Sequence, residues 1–144
     1  MARAGSCVIT HRNPKIETNP KDKVGSLKVD LSVVPPASII YEAQAMYYGA
    51  YLAPKVDGTF GYGPFNWRDQ PITLSRYYSA AMRHGFDFWD GEDLASDSLV
   101  HHLGHWKAGI GIIIDALECG TLIDDRPKVK GPAAALFEHL RKKG

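Results

Sequence analysis

Cysteine is scarce: Cys7 and Cys119 are the two in 144 residues, far apart and without CxxC spacing. That excludes a disulfide framework and favours two reduced thiols in a reducing compartment over a redox or zinc site. Long apolar runs are missing too. Nothing approaches the roughly 20 apolar residues of a membrane span, and the first residues, "MARAGSCVITHRNP", lack the apolar centre of a signal peptide. A cytoplasmic protein with no membrane partner is expected. Net charge is also absent, since 17 basic residues stand against 16 acidic ones and leave +1. So balanced a chain has no general field for a nucleic-acid polymer. Hairpin turn signals are lacking as well, and "SCVIT" and "SLKVDLSVV" are short β-branched pieces that build no sheet.

What is present is helical. One domain spanning 1–144 is expected, with residues 1–34, rich in Lys, Pro, Asn and Ser, as an extended arm without regular structure. Pro36 opens a first helix with Ile39, Ile40, Ala43, Met46, Tyr47 and Ala50 at helical spacing, and Pro54 bounds it. A second helix follows Thr73 as N-cap, with Leu74, Tyr77, Tyr78, Ala81, Gly85, Phe88 and Trp89 on one stripe, and Gly91 ends it. Ser98 is placed to cap a third, whose Leu99, Leu103, Trp106, Ile110, Ile113, Ile114 and Leu117 share a face, with Gly120 closing it. "GPAAALFEHLRKKG" supplies a short terminal helix. The fold class is all-α.

Three histidines, His101, His102 and His105, fall within five residues at the start of the third helix. His102 and His105 lie one turn apart along a flank of its apolar stripe, with Gly109 continuing that flank and His101 turned further toward solvent. His84 takes the equivalent flank of the second helix, beside Asp87, with Arg83 turned further away. If the two helices pair antiparallel, these imidazoles converge with Glu92, Asp93 and Asp97, a mixture suited to a divalent cation. The same HxxH spacing also fits solvated or capping histidines, and acids ahead of a helix favour its dipole without any metal.

Between the first two helices, "KVDGTFGYGPFNWRDQ" is too irregular for a helix and too long for a tight turn. Phe65 and Trp67 could stack on a base, with Asn66 reading its edge and Arg68 meeting a phosphate; a loop that covers the core with its aromatics would look alike. "GYG" is no phosphate-binding glycine loop, because no strand precedes it and no GK[ST] follows. No serine stands in a GxSxG elbow and neither cysteine is marked as reactive, so covalent catalysis is not expected.

Six pieces in order, "KVDLSVVPP", "YEAQAMYYGA", "YGPFNWR", "RYYSAAMRH", "GEDLASDS" and "HHLGH", resemble the phage dATP/dGTP diphosphohydrolase family, a branch of the MazG-like all-α pyrophosphohydrolases, from about Gly25 to Leu117. The resemblance is nearest to the cyanophage branch that works beside 2-aminoadenine synthesis. It implies a MazG-like bundle that hydrolyses dGTP or dATP to monophosphate and pyrophosphate with Mg²⁺, or Mn²⁺ or another divalent ion, the dGMP feeding that pathway. Broader relatives carry ExxE and ExxD metal motifs. Here His84 with Asp87, and His102 with His105, stand in those places.

On this resemblance Glu42, Glu92, Asp97 and His105 are the leading metal ligands, and Glu92, His105 and His84 the catalytic candidates. Lys28, Arg68 and Arg83 neutralise the triphosphate, Asn66 and Trp67 hold the base, and His102 completes the substrate-binding set. An HD-type triphosphohydrolase or a non-catalytic nucleotide- or metal-binding regulator is the alternative, although no adjacent His-Asp pair is present. Aromatic surface from Tyr47, Tyr48, Tyr51 and Tyr62, together with the assembly of relatives, implies a homotetramer or dimer.

Overall fold

A computed structural model describes residues 20–25 and 28–141, and the chain divides into two compact units, 1–34 and 35–144. In the first unit, Pro20 starts a one-and-a-half-turn helix, α1 (Pro20–Gly25), and Asp30 caps a 3₁₀ turn over Leu31–Val33 by accepting from the Ser32 amide at 2.9 Å. These turns give regular structure to two stretches of the arm expected to have none. A proline at a helix start and an aspartate before a turn are local signals that compositional reading passed over. "SCVIT" lies outside the described residues.

The second unit is built around three helices, α2 (Pro36–Tyr47), α4 (Leu74–Trp89) and α5 (His102–Glu118), with a four-residue α3 (Asn66–Asp69) and a later α6 (Ala133–Arg141). Pro36 sits in the first turn of α2, as its fixed φ favours. Gly91 and Gly120, at φ 106° and 73°, stop α4 and α5 where the sequence places those stops. Beyond α2 the chain makes a π turn over Tyr48–Leu52, closed by the Ala53 amide on the Tyr48 carbonyl at 2.8 Å. The carbonyls of Gly49 and Ala50 then accept from the amides of Tyr62 and Gly63 at 3.1 and 3.0 Å, which draws the aromatic loop back over the turn.

Helices α4 and α5 pair antiparallel: Ala81 faces Gly109 and Gly85 faces Trp106. Two-residue strands β1 (Ile72–Thr73) and β2 (Leu122–Ile123), ahead of α4 and behind α5, pair in parallel, Ile72 with Leu122 and Thr73 with Ile123, and hold one end of the hairpin. Thr73 occupies the N-cap of α4 without a side-chain bond; Asp125 does that work, accepting from the Ser75 amide at 2.9 Å and pairing with the Ser75 hydroxyl.

Helix α2 crosses the other side of α5. A Cβ on Gly104 would stand 2.6 Å from the Tyr41 carbonyl oxygen, so glycine is what permits this approach. The buried face of α5 is accordingly small and partly polar, comprising His102, Gly104, Ala108 and Ala116. The expected greasy face is buried only in part: Trp106, Ile110 and Ile113 are half-buried, while Leu99, Ile114 and Leu117 are more than half exposed. A helix squeezed between two neighbours buries mostly small residues, with Trp106 admitted where α4 carries Gly85, and several of its large apolar side chains are left on the remaining side. On α4 the stripe holds at Leu74, Tyr77, Ala81, Gly85 and Phe88, while Tyr78 and Trp89 are exposed.

Candidate active site

The end of the hairpin opposite the strands carries the polar cluster. The Glu92 amide bonds the Asp87 carbonyl at 3.0 Å, the His102 amide bonds the Asp93 carbonyl at 2.9 Å, and Leu94 bridges His101. These bonds fold the connection so that His102 enters α5 already facing α4. His101 is the N-cap of α5, its Nδ1 accepting from the Leu103 amide at 3.1 Å, in place of the expected Ser98. Ser98 has a different partner: its hydroxyl lies 2.8 Å from His105 Nε2 and accepts from the Val100 amide at 3.2 Å.

The imidazoles of His84, His102 and His105 meet. His84 Nδ1 lies 2.9 Å from His102 Nδ1, and the His84 ring stacks on His105 at 4.5 Å between centroids and 11° between planes. Burial, then the neighbouring His84, pushes His105 down to about 4, against a weaker opposing pull from Asp97. Burial, then His102, lowers His84 as well. Both rings are therefore neutral at physiological pH, and neutral imidazoles are what a metal or a proton donor meets.

His102 is only 3% exposed, and its Nε2 is buried without a hydrogen-bond partner. Glu92 Oε2 stands 3.6 Å from that nitrogen and Asp87 Oδ2 stands 3.9 Å from His102 Nδ1, both beyond hydrogen-bond reach. An unpaired buried nitrogen costs about 1–3 kcal/mol, so it marks a place built for something else. Single ligand atoms from His84, Asp87 and His102 lie within 4.8 Å of one another, and this group fits a divalent cation.

Beside the cluster opens a cavity of about 590 Å³, a volume suited to a nucleotide-sized ligand. His84 and His105 share its lining with Tyr48, Tyr62, Phe65 and Tyr77. Asn66 and Trp67 also line it, but Trp67 is buried and its indole N–H donates to Asp115 Oδ2 at 2.6 Å. Arg68 forms a two-bond fork with Asp115, 2.7 Å on each arm, and its guanidinium lies 4.5 Å over the Phe65 ring.

The structure thus brings together His84, His102, His105, Asp87 and Glu92, with the Asp97 charge acting on His84 and His105. Glu42 is elsewhere, paired with Lys107 at 3.0 Å on the side of α5 that faces α2. Arg83 is exposed and touches Ser79 at 3.3 Å, and Lys28 belongs to the 1–34 unit. Sequence reasoning missed Ser98 as the partner of His105 and Asp115 as the partner of Trp67 and Arg68. The second pairing spans 47 and 48 residues, and no local spacing carries it.

The fold and site together define an all-α helical protein that sets imidazoles and carboxylates beside an apolar, nucleotide-sized cavity. Residues 18–126 match the model of the dATP/dGTP diphosphohydrolase N-terminal family, and the chain belongs to that family, an enzyme acting on nucleoside triphosphates. No curated protein and no solved structure matches it.

Proposed function

We propose that the protein cleaves dGTP and dATP between the α and β phosphates, releasing monophosphate and pyrophosphate, with a divalent cation held by His84, Asp87 and His102. The observation that carries this reading is the unpaired, buried His102 Nε2, in a ligand cluster that adjoins the 590 Å³ cavity. When bound, the cation supplies charge neutralisation at the phosphates and lowers the pKa of water. Two imidazoles with carboxylates favour Mn²⁺ or a similar transition ion over Mg²⁺, which prefers oxygen donors.

Glu92, exposed and 3.6 Å from His102 Nε2, is the carboxylate proposed to orient the attacking water. His105 keeps a neutral ring stacked against His84 and braced by Ser98. The purine lies in the aromatic cavity against Asn66 and the Trp67 wall, and Arg83 offsets the triphosphate, Arg68 being engaged by Asp115. Asp97 supports the histidines electrostatically, and Glu42 contributes through its pairing with Lys107. Released dGMP fits the supply of 2-aminoadenine nucleotide synthesis in a phage-infected cytoplasm. Among the described residues no helix is long and apolar enough to cross a membrane. Exposed Tyr47, Tyr51 and Tyr62 support assembly as a homotetramer or dimer.

The test is product chromatography after incubation with each deoxynucleoside triphosphate and Mn²⁺ or Mg²⁺. dGTP and dATP yield monophosphate and pyrophosphate; tripolyphosphate or orthophosphate as the first co-product overturns the reading.

A further inference from the structure

The segment that walls the cavity on one side contains a residue whose backbone conformation needs outside support. Gly61 and Gly63 have φ of 71° and 84°, and Phe65, which is no glycine, sits in the left-handed region at φ 57°. Such a residue persists only where its surroundings over-determine it. The α3 turn that follows is four residues long, far below the length at which a helix is stable alone.

We propose that Asp115 is a positioning residue for the base-binding wall, fixing Phe65, Asn66 and Trp67 through its three hydrogen bonds to Trp67 and Arg68. Asp115 does not line the cavity; it stands one turn beyond Ile112, which does. Its Oδ2 receives the Trp67 indole N–H at 2.6 Å and Arg68 Nε at 2.7 Å, and its Oδ1 receives Arg68 Nη2 at 2.7 Å. Trp67 is thereby drawn into the core beside Ile72 and Ala116. The Arg68 guanidinium, held in plane by the fork, covers the Phe65 ring at 4.5 Å, and that ring meets Trp67 edge-on at 5.6 Å. One carboxylate therefore sets the register of three consecutive cavity residues. Arg68 acts here as the strut between Asp115 and Phe65, with its Nε and Nη2 engaged by the fork, and not as a phosphate ligand.

The assignment rests on the nucleotide reading above, and the experiment separates the two. The full chain and its Asp115→Asn, Arg68→Met and double variants are assayed with dGTP, with inhibition measured for deoxyguanosine, which has a base and no phosphate, and for inorganic tripolyphosphate, which has no base. Asparagine keeps the size of the side chain but turns an N–H toward the donors of Arg68, and Arg68 is half exposed, so its replacement leaves the core intact. Expected are a rise in KM for dGTP and in Ki for deoxyguanosine of roughly tenfold in each single variant, the order of one lost base stack. kcat stays within about threefold and Ki for tripolyphosphate is unchanged, because the phosphate end is untouched. The double variant resembles either single one, because the two residues act as one unit.

A tripolyphosphate Ki that rises with the KM makes Arg68 a phosphate ligand and overturns the proposal, as does an unchanged KM in Arg68→Met. If Asp115→Asn does not fold, Arg68→Met alone decides by the same readouts. Wild-type protein that releases no pyrophosphate from dGTP sinks the functional reading instead, and the clamp is then judged by deoxyguanosine binding in calorimetry on the same variants.

Discussion

Replacing His102 by leucine separates a site from a core residue, because the two roles predict opposite effects on stability. In the metal-free protein His102 is a buried ring whose Nε2 has no hydrogen-bond partner and whose Nδ1 has one, His84 at 2.9 Å. Removing an unpaired buried polar atom recovers about 1–3 kcal/mol, and losing the His84 bond forfeits about 0.5–1.5 kcal/mol. A leucine of comparable volume therefore leaves the metal-free protein as stable as wild type, or about 1–2 kcal/mol more so. With metal the order reverses. A cation at 100 times its Kd stabilises the wild type by about 2.7 kcal/mol, which at about 2–4 °C per kcal/mol for a chain near this size raises Tm by about 5–11 °C. The assay is thermal unfolding of both proteins in EDTA and across a Mn²⁺ titration. A His102→Leu protein that is several kcal/mol weaker in EDTA, or that keeps the wild-type response to Mn²⁺, refutes the reasoning.

Two further outcomes follow from other parts of the molecule. His105 and His84 both have folded pKa values below the ordinary 6.5, so the unfolded chain binds more protons as pH falls from about 6.5 toward 4. Metal-free stability is therefore complete above about pH 6.5 and is lost toward pH 4, by about 1–2 kcal/mol from His105 after allowance for solvent screening; urea melts from pH 8 to 4 show it, and a His105→Gln slope equal to wild type contradicts it. Gly104→Ala places a Cβ 2.6 Å from the Tyr41 carbonyl oxygen, so overpacking of about 1–3 kcal/mol outweighs the roughly 1 kcal/mol gained in helix propensity. A Tm equal to or above wild type in that variant shows that α2 can move away at little cost.

The helices were legible in the sequence because proline and glycine punctuate them: Pro36, Gly91 and Gly120 all stand where the spacing puts them. The convergence of His84, His102 and His105 was legible too, since it needs only helical periodicity and an antiparallel turn. The buried face of α5 was not. Periodicity finds the greasiest stripe, and here Leu99, Ile114 and Leu117 remain exposed while glycine and alanine fill two tight seams. Nor could spacing show that Ser98 leaves the cap to His101 and turns to His105, because both residues are competent caps and tertiary contact chooses between them. Asp115 looked like any polar residue late in a helix, and its role emerges only when α3 is laid against it.

The π turn at Tyr48–Leu52 makes the cavity depend on a count as well as on composition. That turn holds one residue more than an α-helix would, and Tyr48 and Tyr51, within it, both face the cavity. Deleting a single residue there would let α2 run on as an ordinary helix, a change favourable in itself. It would also rotate everything downstream by about 100° relative to α2, which is moored to α5 at Glu42 and Ala45. The Gly49 and Ala50 carbonyls would then miss Tyr62 and Gly63, and the aromatic loop would lose its anchorage on that side. In this protein a shortened turn and a reshaped cavity wall can be the same mutation, so length variation at the end of α2 is a route to a different cavity without any change to the histidines.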